Sequence, residues 1–208
     1  MLDHVFTDAI GALRDALEGA LLERQAFEER FHVDVLLGDM TWETSYGLPG
    51  EGLPPRVQAD ITLDWPTWSQ TAYRSWYLDD TPDEPPEEPP EVLVEVSLRI
   101  QRLAGRPDPG RVLAVLPGSS PPIGTETLAR AGHTVEQVFV GEDDGGDGEF
   151  AIEVSYEGSV SLDERILADG SVLDEQFGGI GGWIASTLVR LGDLSFEFLP
   201  PEDDADRR

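Results

Sequence analysis

The segment of this chain best suited to hold a metal ion is the glycine-rich stretch GEDDGGDGEF at residues 141–150. Carboxylate oxygens on a flexible loop are the ligands that Ca²⁺ prefers. The candidate ligands are Asp143, Asp144, Asp147 and Glu149. Counting from Asp143 places Gly145 and Val154 where an EF-hand needs liganding residues, so the EF-hand pattern fails. Glycine and aspartate are also typical of hairpin turns. An ordinary turn is therefore favoured, with no cofactor, and a calcium site is the alternative.

Two other patterns suggest chemistry but are explained more simply. The stretch FGGIGGW at 177–183 could present backbone amides to a phosphate, yet it lacks the Gly-Lys-Ser/Thr ending of a phosphate loop. Close helix packing, or a helix that starts near Gly182, is the favoured interpretation. Asp60, Asp64 and Glu95 alternate with apolar residues along two strands, and paired carboxylates can act as general acid and base. In a chain with 42 acids, a solvated strand face is the better interpretation.

Large aromatic side chains cluster immediately before an acidic, proline-rich run. Tryptophan and tyrosine often anchor protein interfaces. Core packing is the favoured interpretation for such a group, and a recognition or dimer surface is the alternative. The predicted partner-binding residues are Trp65, Trp68, Tyr73, Trp76 and Tyr77.

The charge of the chain is extreme, because 14 basic and 42 acidic residues give a formal net charge of −28, and every base is arginine. Such a field repels phosphate backbones, so nucleic acid and anionic membranes are poor partners and a basic protein is a better one. Adaptation to a salty cytoplasm or to a GC-rich genome would explain the same composition without a partner.

The chain contains no cysteine, which excludes disulfides and thiolate metal sites. Its N-terminus, MLDHVFTDAIGALRDAL, lacks the basic segment and apolar run of a signal peptide. No apolar stretch approaches the length of a membrane span. These features predict a soluble, cytoplasmic protein.

Hydrophobic periodicity in the first half predicts one helix followed by strands. The helix covers 3–29. The predicted strands are 31–46 with a bulge at Gly38-Asp39, 56–65, 67–78 and 91–103. The acidic, proline-rich loop 79–91 has too many prolines for helix or sheet and is expected to join neighbouring strands of one sheet.

The second half repeats this organisation with less regular patterns. The predicted elements are a short strand or turn at 111–117, a loop and short helix at 118–133 capped by Thr125 and stopped by Gly132, two strands within 134–158, a helix at 171–194, a strand at 194–200 and a disordered acidic tail at 201–208.

These elements predict an α+β fold. A mainly antiparallel sheet of five or six strands carries an N-terminal helix, a short middle helix and a C-terminal helix packed on it. We expect one domain over residues 1–200. The alternative is two closely joined halves, 1–104 and 111–200.

This order of elements, in a small and markedly acidic α+β protein, resembles the bacterial type III secretion chaperone fold and its relatives. The resemblance rests on element order and acidity, since no sequence motif of that family is present. It implies dimerisation and binding of an unfolded segment of another protein.

The favoured function is therefore a non-catalytic, acidic protein-interaction or chaperone-like module that forms a homodimer. Two alternatives remain open. One is an enzyme or small-ligand binder with a carboxylate or divalent-cation site. The other is an acidic immunity or inhibitor protein that masks a basic surface.

Overall fold

The computed structural model describes residues 27–36, 38–48, 54–77, 90–138, 148–161 and 170–200, together with the isolated positions Gly11, Asp15 and Gly19. Within these ranges, the side chains of 27–36, 76–77 and 170–176 are not described.

Seven strands and three helices form the described fold. The strands are β1 (Phe27–Leu36), β2 (Asp39–Gly47), β3 (Val57–Trp65), β4 (Glu91–Leu103), β5 (Ser119–Ile123), β6 (Glu126–Val138) and β7 (Glu149–Ser161). The helices are α1 (Thr67–Tyr77), α2 (Pro109–Leu113) and α3 (Gly170–Gly192). The strands form one antiparallel sheet in the order β1-β2-β3-β4-β7-β6-β5. The predicted α+β class with an antiparallel sheet is confirmed, although the described sheet has seven strands rather than five or six.

One face of the sheet is apolar because the strands alternate between buried and solvent-facing residues. In β3 every second residue from Val57 to Trp65 is buried, and in β4 the same holds from Val92 to Ile100. Register aligns these residues across the sheet, so that Leu63 lies opposite Trp42 on β2 and Val94 on β4. The core therefore lies on this face.

Helix α3 covers the apolar face. Phe177, Ile180 and Ile184 lie over Ile61 and neighbouring core residues of β3, β4 and β5. The ring of Trp183 stands edge-on to that of Tyr156 on β7, with centroids 5.0 Å apart. The helix predicted at 171–194 is confirmed, and it runs without a break through the glycines that were expected to weaken its start.

Helix α1 closes one end of the core. The hydroxyl of Ser69 donates to the Glu91 carbonyl at 2.5 Å and accepts from the Glu91 amide, which ties the helix to the start of β4. Tyr73 packs edge-on against Trp65 with ring centroids 5.8 Å apart. The strand predicted at 67–78 was therefore wrong. The buried residues Ser69, Ala72 and Tyr73 follow helical spacing, which the many aromatic residues obscured.

Two tight turns explain the errors in strand number. Residues 31–46 are not one bulged strand, because the chain reverses between Leu36 and Asp39, where Gly38 adopts a φ of 93°. The helix predicted within 118–133 was also wrong. This region is a β-hairpin whose turn contains Gly124 at a φ of 64°, a conformation that favours glycine.

The remaining predictions divide between confirmed and corrected elements. The strands expected at 56–65, at 91–103 and within 134–158 are present as β3, β4 and the β6–β7 pair. The short strand expected at 111–117 is absent, because α2 spans Pro109–Leu113, with Asp108 accepting a hydrogen bond from the Gly110 amide. The turn alternative holds for residues 114–116, which follow the helix. The strand expected at 194–200 is reduced to a single bridge between Leu103 and Phe198.

Several predicted segments lie wholly or partly outside the described residues. The helix predicted at 3–29 is helical at Gly11, Asp15 and Gly19, but its predicted end was wrong because 27–29 belong to β1. Nearly all of the loop 79–91 and the whole tail 201–208 lie outside the described part. The element that precedes this loop is α1 rather than a strand, so the expected direct link between two strands was wrong. The nearest strands before and after the loop, β3 and β4, are direct neighbours in the sheet.

Candidate protein-binding face

The outer face of the sheet, opposite α3, is polar and strongly acidic across five strands. We define this outer face by the alternate residues of β2, β3, β4, β7 and β6 that point away from the core. Its carboxylates include Glu43, Asp60, Asp64, Glu95, Glu136, Glu153 and Glu157. Among the described side chains of this face there is one arginine, Arg99 on β4.

Register places these acids side by side rather than scattering them. One row across the sheet runs from Glu43 through Thr62 and Glu95 to Glu157. Glu95 and Glu157 are directly opposite each other on neighbouring strands, and both are exposed. Like charges in this position repel and destabilise a strand pair. The sheet therefore carries an electrostatic cost at the centre of this face.

Only part of the negative charge is neutralised within the sheet. Arg99 forms ion pairs with Glu136 at 3.0 Å and Glu153 at 3.2 Å. Asp60 accepts hydrogen bonds from Ser45 and from the Gln58 amide. Among the side chains that the structure describes, which exclude those of β1, no cation lies within ion-pair distance of Glu43, Asp64, Glu95 or Glu157.

A shallow depression of about 460 Å³ lies on this face beside the Glu95–Glu157 pair. Its apolar floor includes Leu93, a large apolar residue that stands on the outer side of β4 and is 42% exposed. Asp64, Glu95 and Glu157 line the same depression. An arginine or lysine side chain has the matching chemistry, with an aliphatic stem for Leu93 and a cationic head for the carboxylates.

The predicted aromatic group divides between the core and the surface. Trp65 is fully buried and Tyr73 is 5% exposed, so both serve the core. Trp68 is 44% exposed on α1 and is the described member available to a partner. The side chains of Trp76 and Tyr77 lie outside the described residues. A contribution of this segment to binding stays a prediction.

The predicted calcium ligands are largely beyond what the structure describes. Asp143, Asp144 and Asp147 lie outside the described residues, whereas Glu149 is the first residue of β7 and is half-buried. Within the described ranges, no three histidine, aspartate or glutamate side chains are arranged to hold a metal ion. A calcium site at 141–150 stays a prediction.

Sequence reasoning identified part of this face and missed its centre. It assigned Asp60, Asp64 and Glu95 to the polar sides of strands, where the structure places them. It missed Leu93 and Glu157. Leu93 did give a signal, because it is a large apolar residue out of phase with the alternation of β4. The position of Glu157 opposite Glu95 could not be found this way, since it depends on pairing between distant strands.

Comparison of the chain with protein-family models, curated proteins and solved structures found no match. The resemblance to type III secretion chaperones accordingly remains a prediction. In the described part of the chain, no helix has the length and apolar character needed to cross a membrane.

Proposed function

We propose that this protein is a non-catalytic interaction module that binds a basic, extended segment or surface of another protein on the outer face of its sheet. The observation that carries the proposal is the depression around exposed Leu93, lined by Asp64, Glu95 and Glu157. An arginine or lysine placed there would relieve repulsion between Glu95 and Glu157 and cover the exposed leucine.

The electrostatics of the whole chain support the same kind of partner. A net charge of −28 speeds the approach of a basic protein and disfavours nucleic acid. This proposal covers both the chaperone-like and the basic-surface-masking hypotheses, because each requires an acidic face and a cationic partner. It differs from the enzyme hypothesis in requiring no reacting group.

The experiment measures binding of a fluorescent peptide with arginine at alternate positions, by anisotropy, against a peptide with glutamine in place of arginine. The double variant Glu95→Gln/Glu157→Gln should weaken binding by about tenfold or more. The matched control Asp193→Asn/Glu197→Gln removes the same two charges from exposed positions outside this face and should weaken binding much less.

Two results separate a specific face from a general charge effect. Binding that falls with salt and depends on Glu95 and Glu157 supports the proposal. Equal weakening by both double variants would mean that net charge alone attracts the peptide, and the outer face would no longer be the site. Leu93→Ser should also weaken the arginine peptide, because it removes the apolar floor beneath the aliphatic stem.

A further inference from the structure

Strand β6 has a long stretch of edge backbone without a strand partner among the described residues. On one side it pairs with β7 from Ala129 to Val138. On the other side the much shorter β5 reaches only as far as Ala129, and the Arg130 amide donates to the Gly118 carbonyl at 3.0 Å. From residue 131 to 138 the described structure offers this edge no neighbour, and the side chains there are mostly exposed. We call residues 131–138 the open edge.

An open edge of this kind is a template for a further strand, and most proteins protect such edges. The other edges of this sheet show protection. β5 contains Pro121 and Pro122, which cannot donate backbone hydrogen bonds. β1 carries three acids and one arginine in its sequence. An irregular register does not distinguish the edges, because β1 has one between Glu28 and Arg30 and β6 has one between Arg130 and Gly132. The open edge contains neither proline nor arginine.

The open edge is also nearly uncharged in a chain that is otherwise densely acidic. Its sequence, AGHTVEQV, holds a single acid, Glu136, and this acid is ion-paired with Arg99 on β4 at 3.0 Å. A second copy of a chain with a charge of −28 can approach closely only where the local charge is small. The open edge meets that condition.

We propose that the open edge is a homodimer interface at which β6 of one protomer pairs antiparallel with β6 of its partner. A two-fold axis perpendicular to the sheet would join the two sheets edge to edge, with residues on the same face opposite each other. With the axis at Thr134 or Val135, Glu136 lies opposite Gly132 or Thr134 of the partner. No two like charges then face each other across the interface.

The arrangement would place both acidic outer faces on the same side of the dimer. This follows from the perpendicular axis, which keeps each face of one sheet continuous with the same face of the other. The interface itself does not depend on the proposed binding of a basic partner.

Cysteine cross-linking tests the interface directly, because the natural chain has no cysteine. Thr134→Cys and Val135→Cys are made separately, since opposite Cβ atoms near the axis come within disulfide range. Thr127→Cys is the matched control, an exposed position on the same strand where β5 already covers the edge. We expect one of the first two variants to form disulfide-linked dimers at least about tenfold faster than the control. Equal rates for all three would overturn the proposal.

Light scattering after size-exclusion chromatography provides the second readout. The unmodified chain should be dimeric, with dimerisation strengthening as salt screens the repulsion between protomers. Thr134→Asp should weaken the dimer about tenfold or more, whereas Thr127→Asp, which adds the same charge, should not. A monomer at every salt concentration would overturn the proposal, as would equal weakening of the dimer by Thr134→Asp and Thr127→Asp.

The salt dependence distinguishes this inference from the proposed function. Self-association should strengthen with salt, while binding of the arginine peptide should weaken. If one of these two salt dependences is not observed, the proposal tested by the other still stands.

Discussion

At the scale of single residues, Asp39 shows how a side chain distant in sequence fixes the start of a helix. Its carboxylate accepts hydrogen bonds from the Thr67 hydroxyl at 2.7 Å and from the Thr67 amide at 2.6 Å. These two bonds hold the pKa of Asp39 below its ordinary value of 3.8, the hydroxyl contributing more than the amide. The ionised carboxylate also lies at the positive end of the α1 dipole.

We predict that Asp39→Ala lowers the free energy of unfolding at neutral pH and that this loss shrinks in acid. Because the folded-state pKa is depressed, the carboxylate contributes stability above the unfolded-state pKa. The contribution disappears as pH falls through the folded-state pKa, below 3.8. Urea denaturation of both proteins near neutral pH and near about pH 3 measures the difference.

The variant Thr67→Val is the control for this prediction, because it removes the hydroxyl donor and leaves the backbone amide. Its loss of stability should be smaller than that of Asp39→Ala and should shrink in the same direction. A difference between wild type and Asp39→Ala that stays constant over this pH range would contradict the argument.

Local sequence patterns predicted the inward residues of β3 and β4 but not the contacts between distant segments. Alternation is a local property, so every second residue from Val92 to Ile100 was assigned correctly to the core. The Asp39–Thr67 contact spans 28 positions, and the pairing of Glu95 with Glu157 spans more. The centre of the candidate site is made of such long-range neighbours, and for this reason it was missed.

At the scale of elements, α3 contains glycines that its packing does not require. A Cβ atom added at Gly178, Gly179 or Gly182 would meet nothing within 4 Å. Close helix packing, expected from the sequence, is therefore not the reason for glycine at these three positions. Each glycine lowers the intrinsic stability of the helix relative to alanine.

We predict that Gly178→Ala, Gly179→Ala and Gly182→Ala each raise the free energy of unfolding by about 0.5–1 kcal/mol. Urea denaturation of the single variants measures the change. Gly158→Ala on β7 is the contrasting control, since its Cβ would lie 3.0 Å from Leu128 Cδ2 and 3.1 Å from the Thr127 carbonyl oxygen. That variant should be destabilised. Destabilisation of the three α3 variants as well would refute the packing argument.

The sequence predicted α3 and missed α1 for opposite reasons. The apolar stripe of α3 is long enough for its period to stand out despite the glycines. Helix α1 has only 11 residues, and its tryptophans and tyrosines are typical of strands. Its helical state depends on anchors outside the segment, including Asp39 and the Glu91 backbone.

At the scale of the whole molecule, the net charge of −28 should destabilise the compact state by self-repulsion. We predict that thermal stability rises steeply when salt is added. Exposed charges are screened beyond about 8 Å at physiological ionic strength, so most of the gain should occur at moderate concentrations. Melting curves from low to molar salt measure the effect.

The variant Glu95→Gln provides a local control for this salt effect. It removes one partner of the directly opposed pair with Glu157, and should stabilise the protein by roughly 0.2–1 kcal/mol at low salt and by less at high salt. Melting temperatures that do not change with salt would contradict the prediction that self-repulsion destabilises the fold.

The strand order also has a consequence for how the chain folds. Strands β1 to β4 pair in sequence, as do β5 to β7, so each group is a meander that can form from contacts local in sequence. A single non-local ladder, between β4 and β7, joins the two meanders. The two ends of this ladder close loops of different length. Leu103 pairs with Phe150 and closes the shorter loop, whereas Glu91 pairs with Ser161 and closes the longer one. Closing the shorter loop costs less entropy, and prior folding of β5–β7 shortens it further. We therefore expect the ladder to nucleate at Leu103–Phe150 and to zip towards Glu91, so that the acidic row of the outer face is assembled late in folding.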